Sequence, residues 1–368
     1  MKRILFSIVL MSIAAVASAQ NYYVDAQNSE MLRFSDQRYP VRKEIILPAQ
    51  VGGFNVYKAD LHTHSVYSDG SVSPQFRVRE AWYDGLDVLA ITEHIEYRPF
   101  EKQFASYLNV EGGTQPDLNA AVSQAQKEAA HWDMFIIPGT EITRNGTKVG
   151  HFNALFTKDN NTIYDEDPVQ AIRNAKNQGA LVMHNHPGWR KTSLDYTPTE
   201  KAAYDEGLID GVEVMNSSEF YPGIIDRVQE RGLFISANTD VHSSTSEDYN
   251  AFGYMRLMTL IFASERSEAA LREALEADRT LAFGYNTLCG NEELLVEFFK
   301  SSVAVSKVAE NTYMITNQTS IPYVIQSAGA NPVHLDPFST IKVKGSLEFT
   351  VLNMFCGKET HPVVELSF

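Results

Sequence analysis

Short apolar runs alternate with amphipathic stretches from residue 57 to about 285, and this alternation constrains the fold more than any other feature of the chain. The runs include "VLAITEH", "MFIIPGTEI", "HFNALF", "ALVMHNHP", "GVEVMN" and "LFISANTDVH". Each has the length of a strand, and most are apolar at successive positions, as a strand buried on both faces requires. Between several of them lie helical patterns: "SPQFRVREAWYDG", "NAAVSQAQKEAAHW", "DPVQAIRNAKNQG", "TPTEKAAYDEG" and "YPGIIDRVQERG". The last three close on Gly, a common helix stop. "SEAALREALEADR" reads as a further helix near the end of the region. The pattern predicts an α/β architecture on a parallel sheet, open or closed into a barrel. After about residue 286 the character changes. A linking helix, "NEELLVEFFKSS", precedes segments rich in β-branched and aromatic residues, which predict a small all-β sandwich-like domain within 286–368. Residues 20–56 are mixed in character and read as an N-terminal extension. No internal repeat or low-complexity segment is visible.

The polar residues that interrupt the apolar runs fall at strand ends. His62 and His64 end the first strand in "KADLHTHSVYSDG", and Asp69 lies just beyond. His94 ends "AITEH", Glu141 ends "IPGTEI", and His151 opens "HFNALF". His184 and His186 close "ALVMHNHP", and Asp240 and His242 close "ISANTDVH". Positions two apart share a strand face, so each pair should present both side chains together. In a parallel barrel or sheet the carboxyl ends of the strands share one side, where active sites form. A lone strand histidine is usually a hydrogen-bonded structural residue. Groups from separate strands converging on one end are better explained by metal ions. Imidazole with carboxylate suits zinc, manganese or iron. The donors exceed the need of one catalytic ion, which implies two or three ions and a shared carboxylate. Such sites serve phosphoryl transfer well, because they clamp both attacking and leaving oxygens.

"DLHTH…SDG", "TEH", "GTE", a later His, "HNHPG" and "TDVH", in that order, resemble the successive motifs of the PHP (polymerase and histidinol phosphatase) superfamily. The resemblance spans about residues 57–285. It implies a distorted (β/α)7 TIM-like barrel, a trinuclear metal centre and phosphoester hydrolysis by a metal-bridging hydroxide. Carried over by position, it implies a first ion on His62, His64, Glu141 and Asp240. It implies a second on Glu141, His151 and His186, and a third on Asp69, His94 and His242. His186, directly before Pro-Gly, matches the ligand position. His184 is then left for a supporting contact, a substrate contact or general acid catalysis. Arg98, Arg144 and Arg190 follow strand ends and could bind phosphate oxygens, with Trp189, Tyr97 and Asn216 near the same mouth. The whole layout is similar to exported bacterial phosphodiesterases of the haloalkyl type. A diesterase on small phosphate esters is therefore favoured over a monoesterase, with Mn or Zn ahead of Fe. Two alternatives stay open: a metal-dependent amidohydrolase acting at a carbon centre, and a barrel enzyme whose C-terminal domain is a binding module.

The first residues look like an export signal: Lys2 and Arg3, the apolar "ILFSIVLMSIAAVA", then "ASA" ending at Ala19. The expectation is cleavage after residue 19, no membrane anchor and a periplasmic or secreted protein. The net charge of −15 becomes −17 once those two cations leave, which disfavours a nucleic-acid partner. Cys289 and Cys356 could form one disulfide in an oxidising compartment or remain buried thiols. Nothing in the sequence sets an oligomeric state.

Overall fold

The computed structural model describes residues 41–143 and 148–368; the expected leader over 1–19, the extension up to residue 40 and Arg144 lie outside the described residues. Seven strands follow one another in sequence and in space: β1 (Phe54–Asp60), β2 (Val88–Ile91), β3 (Phe135–Thr143), β4 (His151–Leu155), β5 (Leu181–Asn185), β6 (Gly211–Asn216) and β7 (Phe234–Asn238). β1, β2 and β3 are mutually parallel, and so are β5, β6 and β7. β4 runs against both its neighbours. The sheet is thus mixed, where the alternation had predicted a parallel one. The reason is chain length. Residues 144–150 are too few for a parallel crossover, which takes a dozen or more residues, so β3 and β4 can only form a hairpin. The reversal places His151, the first residue of β4, beside Thr143 and Asn185, the last residues of β3 and β5.

The sheet curls until β7 meets the end of β1. Asp240 N donates to His62 O at 2.9 Å and His64 N to Val241 O at 3.2 Å. β8 (Met258–Ala263), β9 (Thr280–Gly284) and β10 (Thr287–Gly290) extend the sheet antiparallel from the other edge of β1. Below the mouth, hydroxyls join β7 to this extension. Ile235 N donates to Thr280 Oγ1 at 3.1 Å and Ala237 N to Thr259 Oγ1 at 3.1 Å. Buried backbone groups need partners, and here side chains supply them.

Strand alternation sorts the apolar residues into an inner and an outer set. Ala59, Val88, Ala90, Ile137, Leu181 and Met183 form the inner cluster with Phe234 and Ile261. Their sequence neighbours, such as Leu89, Ile91, Ile136 and Val182, pack in the outer clusters. The covering helices are α1 (Pro74–Tyr83), α2 (Ala120–Ala129), α3 (Pro168–Asn177), α4 (Pro198–Asp205), α5 (Pro222–Glu230) and α6 (Glu268–Glu276). α1, α3, α4 and α5 start on Pro, whose missing N–H costs nothing in the first turn. Ser73 and Asp167 cap α1 and α3, and Thr197 with Glu200 forms a reciprocal capping box on α4.

The linking helix is α7 (Glu292–Ser302), capped by Asn291. Beyond it, β11 (Val303–Ala309), β12 (Thr312–Asn317), β13 (Tyr323–Gln326), β14 (Val333–Leu335), β15 (Thr340–Lys344), β16 (Glu348–Val351) and β18 (Val363–Glu365) form two antiparallel sheets, ordered β11-β12-β15 and β14-β13-β16-β18. The short β17 (Met354–Phe355) pairs in parallel with β10 and so joins the barrel sheet. One apolar cluster runs from Leu281, Phe283 and Leu288 through Leu295, Phe298 and Phe299 to Tyr323 and Val351. The C-terminal region therefore continues the barrel core.

Cys289 and Cys356 are free and buried. Cys289 lies opposite Phe355, so Cys356 points to the other face of the pair. The two thiols accordingly pack in different apolar clusters. Among the described residues no helix is long and apolar enough to cross a membrane.

Candidate metal centre

The nine residues carried over as ligands gather at one mouth of the curl. His62 Nε2, His64 Nε2 and Asp240 Oδ1 form a tight triangle: 3.1 Å between the imidazoles, and 3.2 and 3.1 Å from each to the carboxylate. Glu141 stands beside it, its Oε1 3.6 Å from His62 Nε2 and 3.3 Å from His151 Nδ1. His186 Nε2 lies 3.8 Å from both Glu141 Oε1 and Asp240 Oδ2. On the other flank Asp69 Oδ1 is 3.3 Å from His94 Nε2 and 3.1 Å from His242 Nε2. Among the described residues three groups satisfy the spacing for a common ion: His64, Asp69, His94 and His242; His62, Glu141 and His186; and His62, His64 and Asp240.

The backbone turns two of these residues inward. His186 (φ 27°) and Asp240 (φ 52°) are both left-handed at the ends of β5 and β7. Such a conformation is costly for a residue with a Cβ and persists where surrounding contacts hold it. His186 N donates to Glu213 Oε2 at 2.8 Å, and Asp240 N to His62 O. The glycine of "HNHPG" is required by packing, since a Cβ on Gly188 would stand 2.5 Å from the Tyr221 ring.

Burial and mutual charge set the protonation of the cluster. His64 is pushed down to about 3 by burial and by His94 and His242 at its side. Burial also opposes charge on His94, but Glu141 and Asp69 hold it up at about 10. Burial acts against His62 too, yet Asp240, Glu213 and Glu141 keep it well above its ordinary value. Burial would raise Asp240 and Glu141, but the imidazoles around them hold both carboxyls well below the usual range. Asp69 Oδ1 and Glu141 Oε2 are buried with no hydrogen bond. Buried oxygens without donors, facing nitrogens that cannot all carry protons, are the environment a divalent cation relieves. The residues present fit such ions.

His184 does not join them. Val182 and His184 share the outer face of β5, and the ring of His184 stacks on Phe152 at 5.3 Å on the helix side. Its Nδ1 meets Tyr204 Oη at 3.0 Å and its Nε2 meets Glu200 Oε1 at 3.1 Å. The expected shared face with His186 fails because the left-handed turn at His186 breaks the alternation. A catalytic role for His184 at the mouth is thereby corrected. Arg98 is also turned away: it binds Glu101 Oε2 at 2.8 Å and the Ile95 carbonyl within its own loop. Arg190 does line the mouth, with its guanidinium 4.2 Å above the Trp189 ring. Trp189 in turn packs 5.3 Å from both His151 and His186. Tyr97 and Asn216 line the same cavity of about 800 Å³.

Sequence reasoning passed over Glu213. This fully buried carboxylate accepts from His62 Nδ1 at 2.9 Å, from His186 N, and from Asn216 Nδ2 and Asn238 Nδ2 at 2.9 Å each. Its signal was an acid in the middle of the apolar run "GVEVMN". Asn185 was also passed over; its amide donates to Glu141 Oε1 at 2.9 Å.

Neither the protein-family models nor the curated proteins include a match to this chain. Solved structures do match. An amidohydrolase from Chromobacterium violaceum, with bound sulfate and no metal, is 16% identical over 52% of this chain and 89% of its own, at a TM-score of 0.39. A lesion-specific endonuclease from Pyrococcus furiosus is 16% identical over 64% of this chain and 59% of its own, also at 0.39. Likenesses that distant carry no argument about chemistry. A two-domain protein from Bacteroides vulgatus ATCC 8482, described as containing a "predicted PHP-like metal-dependent phosphoesterase", is 33% identical over 88% of this chain and 98% of its own, with a TM-score of 0.81. Identity at that level over 88% of the chain is more than a common fold requires: the chain belongs to the PHP-like metal-dependent phosphoesterases.

Proposed function

We propose that the protein is an exported phosphodiesterase that hydrolyses small phosphate esters at a centre of two to three divalent ions, Mn or Zn. The observation that carries this reading is Glu141, a single buried carboxylate facing imidazoles from several strands. A carboxylate so placed can be shared between ions. His62, His64, Glu141 and Asp240 would hold one ion, Glu141, His151 and His186 a second, and Asp69, His94 and His242 a third. Bound there, divalent ions supply ionised water near neutral pH and draw charge from the phosphoryl oxygens.

The chain's own residues do the rest. Arg190, braced on Trp189, is placed to bind non-bridging phosphoryl oxygens. Asn216, tied to Glu213, offers a fixed polar group at the same mouth. The open mouth leaves room for a second ester substituent, which favours a diester. Export rests on the leader-like residues 1–19. The test is purified mature protein loaded with Mn or Zn and assayed on aryl mono- and diesters. The expected result is diester turnover, inhibited by phosphate or vanadate, and lost about a hundredfold or more in Glu141→Ala together with part of the bound metal. No turnover of either ester class with any divalent metal would reject the reading.

A further inference from the structure

Outside the metal centre, His184, Glu200, Lys191 and Tyr204 form a buried group of ionisable side chains. Glu200 is 1% exposed. It accepts from Lys191 Nζ at 2.5 and 2.7 Å, from His184 Nε2 at 3.1 Å and from Thr197 N at 2.8 Å. Burial would raise this carboxyl, but His184, Lys191 and the Thr197 amide draw it down to about 2. It also sits against the start of β4: a Cβ on Gly150, next to His151, would come within 2.6 Å of Glu200 Oε1. Lys191 follows directly on Arg190, and Arg190 is itself left-handed (φ 55°). The segment from Pro187 to Thr197 has no strand or helix of its own. The Lys191 ammonium, carried inward to a carboxylate that β5 and α4 hold between them, ties this segment down beside the turn bonds from Trp189 N to His186 O and from Lys191 N to Gly188 O, at 2.9 Å each, and the bond from Arg227 to Leu194 O at 2.6 Å.

We infer that Lys191, Glu200 and His184 form a buried strut that fixes the 187–197 loop, so that Trp189 and Arg190 face the mouth. Lys191 and Glu200 are thus positioning residues for phosphate-ester binding, an assignment that rests on the proposed role of Arg190. Removing the ammonium frees the backbone beside Arg190 and lets the Trp189–Arg190 stack leave the mouth. The ions' own donors stay in place, because none of them bonds to Lys191.

The experiment compares metal-loaded full-length protein with Lys191→Met and Lys191→Arg. It reads KM, kcat, metal content and acrylamide quenching of Trp189, with Trp189→Phe subtracting Trp82 and Trp132. The expected result for Lys191→Met is KM raised roughly tenfold with kcat within about twofold, as loss of one charge-assisted anchor implies. Metal content is expected to be unchanged and Trp189 more open to quencher. Lys191→Arg should recover most of both effects. In an Arg190→Ala background, Lys191→Met should add nothing further to KM. Unchanged quenching in Lys191→Met, or metal lost along with affinity, overturns the strut. If Arg190→Ala alone leaves KM unchanged, the phosphate role of Arg190 falls, and the quenching decides the strut by itself.

Discussion

His62 shows how much one imidazole is asked to do. Its Nε2 faces His64 and Asp240, so its Nδ1 must be the nitrogen that meets Glu213. That bond selects the tautomer and the ring angle, which is what a partner behind a metal-binding histidine does. Glu213 also accepts from three amide donors, and a neutral side chain cannot satisfy all of them. Glu213→Gln should therefore lower metal affinity about 10- to 100-fold. Titration of metal-free protein with Mn or Zn checks this, and equal affinity in the variant would contradict it. Most of the donors were legible in the sequence because they stand at the ends of apolar runs, and Asp69, just beyond the first of them, through the order of the motifs. Glu213 interrupts one at mid-strand, where an acid gives no hint of which face it occupies.

Among the elements, β4 and the α6–β9 turn show local rules at work. The hairpin of β3 and β4 was implicit in the absence of a helical stretch between "MFIIPGTEI" and "HFNALF". The direction of β4 decides that His151 lies at the mouth, since a parallel β4 would have sent it to the opposite end. In the turn between α6 and β9, Asp278 is left-handed (φ 53°) and its carboxyl is raised by burial from 3.8 to about 7. A raised folded-state value means the native protein binds the proton more tightly than the unfolded chain does. That stability is present in full below about pH 4 and is lost as pH rises through about 7. Asn tolerates the left-handed backbone and carries no charge. Asp278→Asn should thus raise Tm at pH 8 while leaving it little changed near pH 4. Melting curves across that range check the slope, and an equal gain at both ends would exclude burial of the charge as the cause.

For the molecule as a whole, the barrel and the C-terminal sheets share one apolar cluster and one strand pairing. Deleting residues 290–368 would bare Leu281, Phe283 and Leu288, among others. At roughly 1.5–3 kcal/mol for each large side chain returned to water, a few such losses approach a typical total stability of about 5–15 kcal/mol. The shortened chain is expected to be insoluble, and a soluble, active barrel would show the domain to be separable. The sequence by itself determined which donors exist and that they lie at strand ends, because run length and interruption are local properties of the chain. Only the tertiary structure decided which way those donors face. The left-handed turn that brings His186 in and leaves His184 out, and the hydroxyls that join β7 to β8 and β9, depend on contacts between residues far apart in sequence, and no local pattern encodes them.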